Sequence, residues 1–293
     1  MISVVIPTYN NVDQLITNLK QNLSFLKGNE IVIVNDYPNQ SIKEDLKDFD
    51  RILLIENKQN LGFAGAVHVG ILQSANRYVM LLNDDVLLND SSFDNALATI
   101  QQDKNNFAVS FAQKEKDGSS VGKNTIYWEN GFFHHKKENN MKPGINGWAE
   151  GGSCLLDKEK YKQIGGFDSL YSPFYWEDID LSYHAWKMGY QVLFDPSIFV
   201  THHHESTIGK QFEKEKIKSI AYRNQFIFIW KNISDKRLLF THIAQTLLLL
   251  PVMLFKDQGF VSGFYNAILR LPNILQHRYK GVLSDEEILS KFK

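Results

Sequence analysis

The triplet Asn83-Asp84-Asp85 sets two carboxylates and an amide directly after the apolar run 78–82. Hard oxygen donors gathered at the end of a strand suit Mg2+ or Mn2+. Asn and Asp are also the common residues of turns and caps, so the triplet by itself leaves both readings open. A second acidic cluster, Trp176-Glu177-Asp178-Ile179-Asp180, precedes the helical stretch 181–188. Acids in the first turn of a helix are favoured in their ionised form. That is the state required of a general base taking a proton from a hydroxyl at neutral pH. Acids that merely cap the helix are the alternative. Trp176 offers a ring face that could line a sugar site, and Trp148 is placed with it and with Glu177 as an acceptor-binding candidate.

His202-His203-His204 follows the apolar run 198–200. Imidazole is a common ligand of divalent metals, and one of the three could complete a site begun by Asp85. Successive strand residues point to opposite faces, so at most two of them share one. No Cys or His partner stands at the spacing of a structural zinc site. Asp36 ends the run 30–35, where its carboxylate could accept the N3–H of uracil or thymine, or form the turn before Tyr37-Pro38. In Asn60-Leu61-Gly62-Phe63-Ala64-Gly65-Ala66 the small residues would let backbone approach a ligand at the start of a helix.

These residues need a scaffold. Three β-branched runs, 3–6, 30–34 and 52–55, alternate with amphipathic stretches such as 12–26, and the run 78–82 follows a predicted helix over 65–75. The pattern predicts an α/β fold with a mostly parallel central sheet and flanking helices. Ligands of such sheets bind beyond the carboxyl ends of the strands, where residues 7–10, 35–36, 56–57 and 83–85 fall. From 107 to 204 the periodicity weakens, as expected of loops and short mixed strands shaping a cleft. After 205 the pattern is helical, with candidates at 211–230, 236–255 and 259–279.

With 43% apolar and 22% charged residues the composition is that of an ordinary globular protein. Lys+Arg of 32 against Asp+Glu of 33 argues against a general nucleic-acid binder, so no nucleic-acid partner is expected. The single cysteine, Cys154, reads as a buried thiol in a reducing cytoplasm. The opening residues lack the pattern of a secretory signal. The run 238–255 is interrupted by Thr241, His242, Gln245, Thr246 and Pro251, and reads as a buried or interfacial helix rather than a membrane span. Between 236 and 280 there are six Lys or Arg against Asp257 alone. That excess fits a peripheral contact with the anionic inner face of the plasma membrane, or packing against the catalytic domain or a second subunit in a homo-oligomer.

Taken together, IPTYN, IVND, NLGFAGA, LLNDDV, GGFD, WEDIDL and the later histidine resemble glycosyltransferase family 2 enzymes of the GT-A fold. The likeness runs over 2–206 and is strongest to the bacterial branch of rhamnosyl- and galactofuranosyltransferases. It implies a catalytic domain over 1–205, with a nucleotide-sugar-binding half to 100 and an acceptor-binding half from 101, and a C-terminal helical appendage over 206–293. It implies donor contacts at Pro7, Thr8, Tyr9, Asp36, Asn60, Gly62, Asn83 and Asp84, and metal ligation by Asp85 and His202. Asn83 departs from the Asp usual at the first position of the metal motif. Asp178 stands where the catalytic base does and Glu177 where an acid orients the acceptor, while His203 and His204 inherit no role. The implied reaction is inverting transfer of rhamnose, galactofuranose or a similar sugar from a dTDP or UDP donor to a saccharide or lipid-linked acceptor.

Two rivals make different demands. A sugar nucleotidyltransferase would carry an N-terminal Gly-rich loop with a basic residue, which MISVVIPTYN lacks. A nucleotide-sugar-binding relative without catalysis draws support from Asn83 alone.

Overall fold

The computed structural model describes residues 1–115, 118–202 and 212–293. The first half contains β1 (Ser3–Thr8), α1 (Val12–Asn22), β2 (Glu30–Asn35), β3 (Ile52–Glu56), α2 (Gly62–Gln73), β4 (Tyr78–Leu82) and the short β5 (Val86–Leu88). There follow α3 (Asp94–Gln102), β6 (Asn106–Lys114), β7 (Ser120–Val121), the hairpin β8 (Asn124–Glu129) and β9 (Phe132–Lys137), β10 (Gly144–Ile145), β11 (Ser153–Asp157), α4 (Lys158–Gln163), α5 (Glu177–Lys187) and β12 (Gln191–His202). The sheet order is β10-β12-β6-β11-β4-β1-β2-β3, with β5 beside β12, β7 beside β6, and the hairpin apart. Strands β1, β2, β3, β4, β6 and β12 run one way, and β11 is reversed between β4 and β6. This is the α/β, mostly parallel sheet that the alternation predicts.

The register explains where a site can form. Thr8, Asn35, Leu82 and His202 end their strands at the same edge of the sheet, because β1, β2, β4 and β12 share a direction. The reversed β11 brings its beginning there instead: Ser153 pairs with Leu82, so residues 150–152 enter the same edge. The region 107–204 is more regular than its weak periodicity predicts. In β6 every residue but the last is buried, and a strand covered on both faces loses the polar alternation by which it would be recognised.

The C-terminal helices are α6 (Lys214–Asn232), α7 (Lys236–Lys256), α8 (Gln258–Ile268), α9 (Leu271–Gln276) and α10 (Asp285–Ser290). The stretch 259–279 forms two helices rather than one, with Pro272 in the first turn of α9, where its missing N–H leaves no bond unmade. Phe226, Phe228 and Ile229 of α6 lie in one continuous apolar cluster with Val5, Val32 and Leu156 of the sheet. The boundary drawn at 205 and 206, like His203 and His204, lies outside the described residues. Cys154 is buried on β11, and burial pushes its thiol far above the ordinary range. Of the two alternatives for helix α7, buried or interfacial, its exposure leaves the interfacial one. Of the described helices it alone is long and apolar enough to cross a membrane, and most of its surface is outside the core.

Candidate active site

A cleft of about 550 Å3 opens at the carboxyl edge of the sheet. Pro7, Thr8, Tyr9, Asp36, Asn60, Gly62, Asn83, Asp84, Asp85, Glu177, Asp178 and His202 all line it. Residues 76 to 117 positions apart in sequence touch directly. The Thr8 hydroxyl donates to Asp84 Oδ2 at 2.7 Å, and His202 Nε2 stands 3.0 Å from Asp85 Oδ1.

The acidic triplet is held from behind by α1. Asn18 Nδ2 donates to the Asp84 carbonyl (2.7 Å), Asn22 Nδ2 donates to the Val86 carbonyl (2.9 Å), and Asn22 Oδ1 accepts from the Leu88 N–H (2.8 Å). Two buried asparagines on a helix otherwise facing the core thus fix the loop. Gly152 lies against Asn83, whose amide nitrogen would stand 2.8 Å from any added Cβ. Asn83 Oδ1 is buried without a hydrogen-bond partner among the described residues. Burial pushes the Asp84 carboxyl up to about 7, against the Thr8 hydrogen bond and with the charge of Asp85 adding to the rise.

Asp36 lines the cleft and also fixes its architecture. Its Oδ1 accepts from Asn57 Nδ2 (2.8 Å) and from the Leu61 N–H (3.0 Å), which pins the turn at 60–62. There Asn60 Oδ1 accepts the Gly62 N–H at 2.8 Å, and Gly62 adopts a φ of +71°, a conformation that favours glycine. Tyr9 and Tyr37 meet edge to face beside Asp36, with ring centroids 5.2 Å apart.

Glu177 and Asp178 open α5. Asp178 Oδ1 accepts the Ile179 N–H at 2.8 Å, yet its carboxyl is raised rather than held ionised. Burial outweighs the helix N-terminus, and the charge of Glu150 adds to it. Glu177 is raised in the same direction by burial and then by Asp178, and its Oε2 is buried without a partner among the described residues.

Trp148 and Trp176 do not line the cleft. Each is only 6% exposed, and His135 sits edge-on to both rings at 5.1 and 5.0 Å. Tyr175 and Trp176 adopt φ values of +71° and +77°, and this left-handed turn sends the indole of Trp176 into the cluster of Phe133 and Phe228. The aromatic rings at the cleft are instead Phe63, Phe174, Tyr175 and Phe212, with Tyr9.

The sequence reading also missed Glu150 and Gln113. His202 Nδ1 lies 2.8 Å from Gln113 Oε1, while Gln113 Nε2 donates to Glu150 Oε2 at 2.6 Å. An amide oxygen only accepts, so Nδ1 donates to Gln113 and Nε2 is the ring nitrogen turned toward Asp85. A carboxylate oxygen and an imidazole nitrogen 3.0 Å apart could both reach one divalent cation in place of the contact they make with each other. Among the described residues no three His, Cys, Asp or Glu side chains form a closed metal cage. An open two-donor arrangement would leave the other positions of a hard cation to oxygen donors from outside the protein.

Residues 3–165, more than half of the chain, match the family described as Glycosyl transferase family 2. The chain is 24% identical over 292 residues to a poly-beta-1,6-N-acetyl-D-glucosamine synthase of Staphylococcus epidermidis, covering 95% of this chain and 67% of that protein. Over 83 residues it is 31% identical to an N-acetylglucosaminyl-diphospho-decaprenol L-rhamnosyltransferase of Mycobacterium tuberculosis, covering 28% and 26% respectively. Its fold is similar to the crystal structure of GalNAc-T7 with UDP, GalNAc and Mn2+, with a TM-score of 0.63 at 15% identity over 92% of this chain and 57% of that one. The sheet, the cleft at its carboxyl edge and the extent of the sequence match agree: this chain belongs to glycosyl transferase family 2.

Proposed function

We propose that this chain transfers a sugar, with inversion, from a UDP- or dTDP-linked donor to a hydroxyl of a saccharide or lipid-linked saccharide in bacterial surface polysaccharide assembly. The observation that carries the reading is the shared cleft of Asp85, His202 and Asp178. Support for the donor class comes from Asp36 beside Tyr9 and from the UDP of the structural neighbour; support for the acceptor class comes from the names of the two sequence relatives.

In this reading Asp178 takes the proton of the acceptor hydroxyl as its oxygen attacks the anomeric carbon. The bond from that carbon to the diphosphate oxygen breaks, and the electron pair leaves with the diphosphate. Glu177, buried beside Asp178, orients the acceptor. Asp85 and His202 would hold Mg2+ or Mn2+, which when bound neutralises charge on the departing diphosphate. Thr8 and Asp84 keep the donor end in register with it. One displacement needs a base and a stabilised leaving group and no covalent intermediate, so a single carboxylate facing the acceptor suffices.

Thermal shift with UDP, dTDP and GDP, each with and without Mn2+, tests donor and metal together, since a ligand of the native state raises stability with its occupancy. The expected outcome is a Mn2+-dependent shift for a pyrimidine diphosphate, lost in Asp85→Ala. Asp178→Asn is expected to keep that shift while transfer falls by about 10²- to 10⁴-fold. Undiminished turnover in Asp178→Asn removes it from the role of base.

A further inference from the structure

Helix α7 is apolar on two sides: Leu238, Leu239, Leu249, Leu250 and Met253 pack half-buried against the core, and a second apolar face points outward. Its buried residues are polar: His242 Nδ1 donates to the Gly131 carbonyl at 2.9 Å, its Nε2 accepts from the Trp230 indole at 2.9 Å, and Thr246 is buried beside it. Its outward face carries Phe240, Ile243, Leu247, Leu248, Leu254 and Phe255, which are 55–93% exposed. A helix in water keeps its outer face polar, since each large apolar side chain left outside forgoes its burial. Patches of this size on one element mark a contact surface.

We propose that this face lies in the surface of an anionic phospholipid bilayer. Charge selects that occupant. Exposed Lys236, Arg237 and Lys256 bracket the apolar face, and the excess in 236–280 is six cations to one acid. The acid, Asp257, is already taken by Lys218 at 2.8 Å and by the Tyr222 hydroxyl. A symmetric second copy would bring this cationic rim against another like it, with Asp235 at the helix cap as the neighbouring acid, whereas lipid phosphates complement both rim and face. The helix lies on the bilayer and does not cross it, because its polar side is bonded along the catalytic body at Gly131 and Trp230. The inference deepens the functional reading, on which its relevance to a lipid-linked acceptor rests.

The test is flotation of the full chain with vesicles of phosphatidylcholine alone or with phosphatidylglycerol, with no nucleotide or acceptor present. Binding to the anionic vesicles is expected, weakened by salt, and reduced at least about tenfold in Leu247→Glu/Leu248→Glu and in Lys236→Gln/Arg237→Gln/Lys256→Gln. In Phe255→Trp the added indole fluorescence shifts to the blue on binding. Absence of flotation overturns the proposal, as does a dimer in sedimentation equilibrium that the leucine variant dissolves while lipid binding is absent. Retained flotation with no donor binding overturns the functional reading alone, because the vesicle assay contains neither substrate.

Discussion

At the scale of residues, the raised carboxyls of Glu177 and Asp178 make a pH prediction with a definite sign. A base must be ionised, and burial, with Glu150 adding to it, moves the ionisation of Asp178 from the ordinary carboxylate range toward neutrality. Transfer measured as kcat/KM should therefore climb as pH rises toward neutrality, later than a solvated Asp with pKa of about 4 would allow. Glu150→Gln removes one cause, so its acid limb should move to lower pH; a limb that stays put excludes Glu150 from tuning the base. The same shifts act on folding in the opposite sense. A folded state that holds protons the unfolded chain would release is most stable at low pH, and loses that advantage as pH rises through the raised values. Residue chemistry was legible in the sequence wherever polar side chains interrupt an apolar run, as at residues 83–85 and 177–178. Trp176 was misread because the backbone that turns it inward is a pair of left-handed residues, which no side-chain pattern announces, and Trp148 because its burial against His135 comes from a hairpin distant in sequence. Glu150 and Gln113 gave no signal, since each has meaning only through β11 and β6 lying side by side.

At the scale of elements, the turn that delivers Glu177 and Asp178 is held by a helix far along the chain. Asn224 of α6 shares its amide hydrogens among the carbonyls of Tyr171 (2.9 Å), Phe174 (2.9 Å) and Tyr175 (2.8 Å), and Arg223 donates to the Ser172 carbonyl at 2.6 Å. Left-handed φ at Tyr175 and Trp176 is costly for residues with side chains, and persists where the surroundings enforce it. Asn224→Ala leaves the Phe174 and Tyr175 carbonyls without this donor, and Tyr171 with only the longer bond from Arg223 at 3.3 Å. It should cost about 1–3 kcal/mol in denaturant unfolding. Because Asn224 lies outside the donor pocket, kcat should fall more than the affinity for nucleotide diphosphate. An equal loss in both would mean a general loosening rather than a misplaced base. The parallel strands of the first half were legible because β-branched runs seldom do anything else. This clamp was not, because Asn224 between Arg223 and Gln225 reads as part of an ordinary polar helix face.

At the scale of the whole molecule, the C-terminal helices and the sheet are tied by charge as well as by apolar packing. Lys231 of α6, 2% exposed at its side chain, places Nζ 2.7 Å from Asp168 Oδ2 and 2.7 Å from Asp180 Oδ2. Asp180 Oδ1 also accepts from the Tyr171 hydroxyl and from Asn232 Nδ2, each at 2.7 Å. Both acids are held below the ordinary range, against burial, chiefly by Lys231. The helical pattern after 205 was readable as helices, but its role as counterion to the second half was not, because ion pairs across more than fifty residues leave no spacing to read. Lys231→Met keeps the aliphatic stem and removes the lysine cation from both carboxylates, leaving Asp180 its Tyr171 and Asn232 donors and Asp168 its contact with His277 at 2.9 Å, which should cost about 3–5 kcal/mol near neutral pH. A depressed carboxylate gives stability that is present above its unfolded value and lost as pH falls through the folded one. Acid should thus shrink the difference between variant and parent as Asp168 and Asp180 take up protons. Urea unfolding at neutral and acidic pH measures both halves of the claim, and a difference that stays constant with pH would assign the loss to packing instead of charge.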